Sequence, residues 1–157
     1  MARTDGSRQF GAREPGHDYA DRPCAYGIAL NEQGRIALVH VVTGDGAWYD
    51  LPGGALDPGE TDDQAVVREF GEETGLTVRA GALITRADQF MVKTDGQHVN
   101  NRSGLYEVTV AGFDARLKIE DDHTLVWIDP VEALTLLRHD SHAWAVTAWL
   151  RRKTAAK

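Results

Sequence analysis

The sequence predicts an α/β sandwich, and three observations predict it. Strand-like segments recur along most of the chain, one well-capped helix interrupts them, and the C-terminal end reads as two further helices. A length of 157 residues suits one domain with a single core. Residues 1–22, rich in Gly, Arg and Asp and without a sustained period, are expected to form a loosely held N-terminal arm with a short strand around Phe10, ahead of a domain over 23–157.

Residues 24–30 and 35–42 suit strands, and Asn31-Glu32-Gln33-Gly34 between them has turn chemistry, so a hairpin is expected. The loop Thr43-Gly44-Asp45-Gly46 leads to a strand that Pro52-Gly53-Gly54 must stop. A helix is predicted over 61–74. Thr61 and Gln64 form a capping box, Asp62 and Asp63 favour the positive end of the dipole, and Gly75 closes the C-terminus. Strands are expected again over 76–79, 82–92, 104–110 and 125–128, with a loop over 93–102. Pro130 suits the first turn of a helix over 131–138. Ser141 caps another from 142 to about 153, whose basic end Arg151-Arg152-Lys153 suits the negative pole.

Composition excludes several classes. Hydrophobic residues at 42% and charged residues at 26% are ordinary globular usage. The apolar run 36–42 is broken by His40 and falls far short of the roughly 20 residues of a membrane span. The first residues lack the apolar stretch of a secretory signal, and the single Cys24 excludes an internal disulfide framework, so the expected compartment is the cytoplasm. A formal net charge of −7 without a basic run argues against a nucleic-acid polymer as partner. The six scattered histidines offer no zinc or copper arrangement.

The chemistry concentrates on the 61–74 helix. At roughly 100° per residue, Glu69, Glu72 and Glu73 share one face beside an apolar stripe of Val66, Val67 and Phe70. Like charges at these spacings cost about 0.2–0.5 kcal/mol per pair. A hard dication would remove that cost, and oxygen-only ligands suit Mg²⁺ or Mn²⁺. Three glutamates on a helix are more commonly a solvated acidic face. Their context overturns that view: Gly54, five residues, Glu60, seven residues, Arg68-Glu69, an apolar residue, one residue, Glu72-Glu73, one residue, Gly75 and an apolar residue. Seven fixed positions match by chance on the order of once in 10⁸ starts. The 23 residues from Gly54 to Leu76 resemble the Nudix box, and the flanking strands, with Trp127-Ile128-Asp129 and Leu134, extend the resemblance over about 23–138.

The resemblance implies a Nudix-type α/β/α sandwich with a central mixed β-sheet. It further implies a Mg²⁺-dependent hydrolase, with Mn²⁺ as substitute, cleaving the diphosphate linkage of a nucleoside triphosphate, nucleotide sugar or dinucleotide by water attack on phosphorus. Glu69, Glu72 and Glu73, with the Gly53 carbonyl, would hold the metal, while Glu60 and Arg68 would brace the box. The general base would be a box glutamate or an acid among Glu120, Asp121 and Asp122, with Asp122 ranked first. Trp48, Tyr49 and Phe90 are candidates to stack on a base, and Asn100 and Asn101 to bond its edge. The stretch 40–45 lacks the Arg or Lys that many triphosphate-cleaving relatives carry there, leaving phosphate contacts to Arg86, Lys93 or Arg102. The implied partner is a nucleotide-type small molecule, without a membrane, and a homodimer is left open. A non-catalytic nucleotide sensor on the same fold is the alternative; it would be expected to lose box carboxylates or carry a DNA-binding domain. An isoprenoid diphosphate isomerase would ask for a catalytic cysteine, whereas Cys24 reads as a small buried apolar residue.

Overall fold

The computed structural model describes residues 6–155. Eight strands and three helices follow in order: β1 (Arg8–Phe10), β2 (Ala20–Ala29), β3 (Ile36–Thr43), β4 (Gly46–Asp50), β5 (Gly53–Ala55), α1 (Asp62–Thr74), β6 (Leu76–Val92), β7 (His98–Phe113), β8 (His123–Ile128), α2 (Pro130–Leu136) and α3 (Asp140–Ala155). A 3-10 turn, Ala115–Leu117, precedes β8. The larger sheet has the order β1-β6-β7-β2-β5 and is mixed, since β1–β6 and β2–β7 are parallel and the other pairs antiparallel. The smaller, antiparallel sheet has the order β4-β3-β8.

Strand alternation explains the layering. Ala25 and Ala29 of β2 turn to Ala65, Val66 and Phe70 of α1, while Cys24, Tyr26 and Ile28 turn to Ala145, Val146 and Trp149 of α3 and to Ala133 of α2. The result is an α/β/α sandwich with two apolar layers. Each fully buried Val, Leu, Ile or Phe contributes about 1.5–3 kcal/mol, which fixes these registers.

Several elements differ from expectation. β2 and β3 are no hairpin: they lie in different sheets, joined at their ends by the bridge Leu30–Ile36 and the Asn31–Gly34 turn. The expected break at Gly81 is a register shift inside one strand, because β7 runs alongside β6 without interruption. The loop expected over 93–102 shrinks to Lys93–Gln97, closed by Lys93 N–H to the Gln97 carbonyl at 2.8 Å, so Asn100, Asn101 and Arg102 lie in β7. α2 begins at Pro130, its cap being Asp129, whose carboxylate accepts from Val131 and Glu132 N–H. α3 begins at Asp140, so Ser141 lies inside it. Val67 is 43% exposed, one residue out of phase with Val66 and Phe70.

Residues 1–5 of the arm lie outside the described residues. In the rest of it, β1 pairs with β6, Gln9 exchanges side-chain hydrogen bonds with Asn100, and Tyr19 packs edge-on against Phe90. Residues 20–22 already belong to β2, where the parallel ladder with β7 begins.

Candidate active site

Helix α1 and strand β5 build the site together. Thr61 caps α1 with both halves of the capping box present, and Gly75 closes it in the left-handed conformation. Gly53 opens β5 at φ +145°, and a Cβ there would stand 2.2 Å from the Ala25 carbonyl, so only glycine lets the loop lie this close to β2. A Cβ on Gly54 would meet Glu69 Oε1 at 2.9 Å, so the Glu69 carboxylate lies directly over this backbone.

The three box glutamates part company at their tips. Glu73, on the buried stripe with Val66 and Phe70, is 5% exposed; it accepts from Gly53 N–H at 2.8 Å and meets His123 Nε2 at 2.9 Å. Glu69 faces the cleft and accepts from Arg68 at 3.1 Å. Glu72 accepts from Arg68 at 3.0 Å and does not line the cleft, while its backbone carbonyl holds Ile119 and Glu120 N–H. These last bonds dock the acidic loop onto the end of the helix. Arg68 also grips Glu60 with two parallel bonds, Nε–Oε2 at 2.8 Å and Nη2–Oε1 at 2.9 Å, and donates to the Ala55 carbonyl at 3.0 Å.

The cleft, of about 400 Å³, is lined on the α1 side by Gly53, Gly54, Ala55, Glu69 and Glu73. Glu120, Asp122 and His123 also line it, their ligand atoms within 4.8 Å of one another. Arg22, Met91, Lys93 and Asn101 line the cleft as well, as do Trp48, Asp50, Arg138 and His139. Arg138 lies 4.3 Å over the Trp48 ring and holds Asp50 with two bonds, at 2.7 and 3.2 Å. Asn101 accepts from Arg22 at 3.1 Å and donates to Met91 Sδ.

Burial pushes the Glu73 carboxyl up to about 7, against the pull of His123. Burial also raises Glu69, and the charges of Glu72 and Glu120 add to it against the opposing Arg68. His123 would be lowered by burial, but its bonds to Glu73 and, at 2.7 Å, to Asp122 carry it up to about 9. Burial thus works against the Glu73 charge while the bond to a cationic His123 supports it, so this carboxyl is poised to take up or release a proton near neutral pH, and the box carboxylates around Glu69 are crowded.

Other candidates named from sequence lie elsewhere. Tyr49, adjacent to Trp48 on β4, points to the opposite face and stacks on His40 at 4.5 Å. Arg86 stands 3.8 Å from Asp62 at the start of α1, and Phe90 packs on Tyr19; neither lines the cleft. Arg102 pairs with Asp21 at 2.6 Å outside the cleft, whereas Lys93 reaches it. Sequence reasoning missed His123, Arg22 and Arg138. Alternation along β2 could have placed Arg22 with Tyr26; His123 and Arg138 carried no local signal. Among the described residues a second mixed group, Glu14, His17 and His98, also comes together, so the histidines are less scattered than their spacing suggests.

A family model described as NUDIX domain matches residues 20–150. A Bacillus subtilis (strain 168) protein named as a candidate 8-oxo-dGTP diphosphatase is 35% identical over 106 residues, 68% of this chain and 65% of that protein. A CTP pyrophosphohydrolase of Escherichia coli (strain K12) is 30% identical over 89 residues, 57% of this chain and 60% of that one. The chain thus spans somewhat under two thirds of the length of these two relatives. Among solved structures, a NUDIX hydrolase from Nitrosomonas europaea shares the fold with a TM-score of 0.72 at 20% identity, over 85% of this chain and 90% of that one. With 131 consecutive positions matched to the family model and the box folded as one loop–helix unit, the chain belongs to the NUDIX domain family.

Proposed function

We propose that this protein is a hydrolase that cuts the diphosphate linkage of a nucleoside diphosphate derivative with Mg²⁺, for which Mn²⁺ can substitute. The observation that carries it is one cleft in which Glu69 and Glu73, seated against Gly53–Ala55, share a wall-lined space with Glu120, Asp122 and His123. The donor set fits a hard dication: its oxygens are carboxylate and carbonyl, and burial and mutual repulsion raise Glu69 and Glu73 beyond what Arg68 and His123 offset. Glu69, Glu73 and the Gly53 carbonyl would hold the ion from the cleft wall, and Glu72, which shares Arg68 Nη1 with Glu69, would join them by turning from Arg68 toward the ion. When bound, such an ion neutralises diphosphate oxygens and activates a water.

The chain's own groups do the rest. Arg68 keeps Glu60, the β5 loop and α1 in one rigid frame, so the carboxylates are set before substrate arrives. Asp122, 45% exposed and bonded to His123, is the proposed proton acceptor outside the box. Arg22, Lys93 and Arg138 bring positive charge to the phosphates, and Trp48, with Arg138 over its ring, offers a stacking surface for a base whose edge Asn101 of the same cleft would bond. A cytoplasmic setting accompanies this reading; it is supported by a single, buried thiol, Cys24, which burial pushes up to about 11 and so keeps unreactive. No helix among the described residues is long and apolar enough to cross a membrane.

The substrates named for the two relatives, 8-oxo-dGTP and CTP, are nucleoside triphosphates, which puts that class first for trial. The test is a panel of nucleoside triphosphates, nucleotide sugars and dinucleotides incubated with Mg²⁺, with products resolved by anion exchange. At least one should be cleaved at its diphosphate, and Glu69→Gln should lower that turnover by about 10²-fold or more while retaining the wild-type melting temperature. A panel without products, or a Glu69→Gln variant as fast as wild type, would refute the assignment.

A further inference from the structure

Away from the cleft, the fold gathers two histidines and a carboxylate that are distant in sequence. We propose that Glu14, His17 and His98 form a second metal site, for a borderline-soft transition ion such as Zn²⁺, which clips the N-terminal segment onto β7. One ligand atom from each residue lies within 4.8 Å of the others. Both imidazoles address the same oxygen: Glu14 Oε2 is 2.9 Å from His98 Nε2 and 4.0 Å from His17 Nε2. The two rings stack at 3.9 Å and 10°, and Tyr19 presents its ring at 83° to His98, fixing that imidazole from the side.

The local sequence builds this group. Glu14-Pro15-Gly16-His17 has proline at the second position of a turn and glycine at the third, with φ +82° at Gly16, the pattern of a type II turn. Such a turn returns residue i+3 to residue i, so His17 comes back beside Glu14. His98, the first residue of β7, is set opposite them by the tight Lys93–Gln97 turn. Two imidazole nitrogens and one carboxylate oxygen are the protein ligands of many zinc sites with water as fourth ligand. Mg²⁺ prefers oxygen ligands, so the cluster and the box select different ions. In the stacked arrangement the two rings lie nearly parallel, so binding one ion through both nitrogens requires the exposed His17 ring to rotate. None of the three residues lines the cleft, which separates this site from the box carboxylates.

The test is equilibrium dialysis of the full chain against Zn²⁺ in excess Mg²⁺, with metal content per chain and melting temperature as readouts. Wild type and Glu69→Gln should each retain one equivalent of Zn²⁺ and melt higher with it. His17→Ala, Glu14→Gln and His98→Asn should lose that equivalent and the Zn²⁺-dependent rise. Glu14 and His17 are exposed, so their variants should fold as wild type does without Zn²⁺. Wild-type protein that retains no Zn²⁺ would overturn the proposal. So would an equivalent that persists in His17→Ala and vanishes in Glu69→Gln, since that ion would sit on the box.

Discussion

At the scale of the residue, Arg68 does what no other cation could. Its planar fork holds Glu60 with two parallel bonds while its other edge reaches the Ala55 carbonyl, Glu69 and Glu72. A lysine offers one point charge to five acceptors. Arg68→Lys should therefore destabilise the fold by about 1–3 kcal/mol, because charge-assisted bonds around half-buried carboxylates are lost. Differential scanning calorimetry should show a melting temperature lower by roughly 2–4 °C for each kcal/mol, and an unchanged value would mean that Glu60 and Arg68 do not brace the loop. The Glu60–Arg68 spacing was legible because both residues sit in one contiguous motif. His123 was illegible at this scale: its partner Glu73 is fifty residues away in the chain, and only the pairing of β8 with β3 brings them to 2.9 Å.

At the scale of the element, α1 is a self-contained device. Its cap, its acidic first turn, its buried stripe and its carboxylate face all follow from residues within one segment, which is why its start and end agree with the sequence to within one residue. Thr61→Ala removes the side-chain acceptor for Gln64 N–H and should cost about 1 kcal/mol in urea unfolding, whereas Thr61→Ser should restore most of it. Equal stability of Thr61→Ala and wild type would show that packing alone holds the helix start. Strands are less legible. Whether Trp48 or Tyr49 meets the cleft, or Asn100 or Asn101, depends on register, and a one-residue step moves a side chain to the opposite face. The sequence marks the strand but leaves its facing open until the partners are known.

At the scale of the whole molecule, the junction between sheets and C-terminal helices buries two histidines in neutral form. His142 Nδ1 accepts from Leu51 N–H at 3.2 Å, which ties α3 to the segment entering the active-site loop. Burial holds His142 well below its ordinary value, with His139 and Arg138 adding to the shift. Burial and Arg138 lower His139 to about 3. Both pKa values are depressed on folding, so each contribution is complete above about 6.5, where the unfolded histidine is neutral, and is lost as pH falls below that. Glu73, raised to about 7, acts in the opposite sense, so the clean observable is a difference between variants. His142→Asn keeps an acceptor for Leu51 and removes the titration. Relative to this variant, wild type should lose stability progressively as pH falls from 6.5 to 5, with a slope that steepens to about 1.4 kcal/mol per pH unit, measured by urea unfolding without metal. Parallel pH profiles for the two proteins would show that His142 does not titrate with folding.

The sequence by itself determined the α/β class, the helix α1 with its caps, and the family, because each rests on residues that are neighbours along the chain or along one helix turn. It also placed three acidic side chains on one face, since a helix converts spacing into direction without any help from the rest of the protein. Only the tertiary structure decided which carboxylates share the cleft. It turned Glu72 toward Arg68, paired Glu73 with His123, and docked the 119–120 segment on the Glu72 carbonyl. It likewise sent Tyr49, Arg86 and Phe90 away from the cleft and gathered Glu14, His17 and His98 outside it. The physical reason is the same throughout: a strand fixes only the alternation of its side chains, and the face each one reaches is set by long-range pairing and burial.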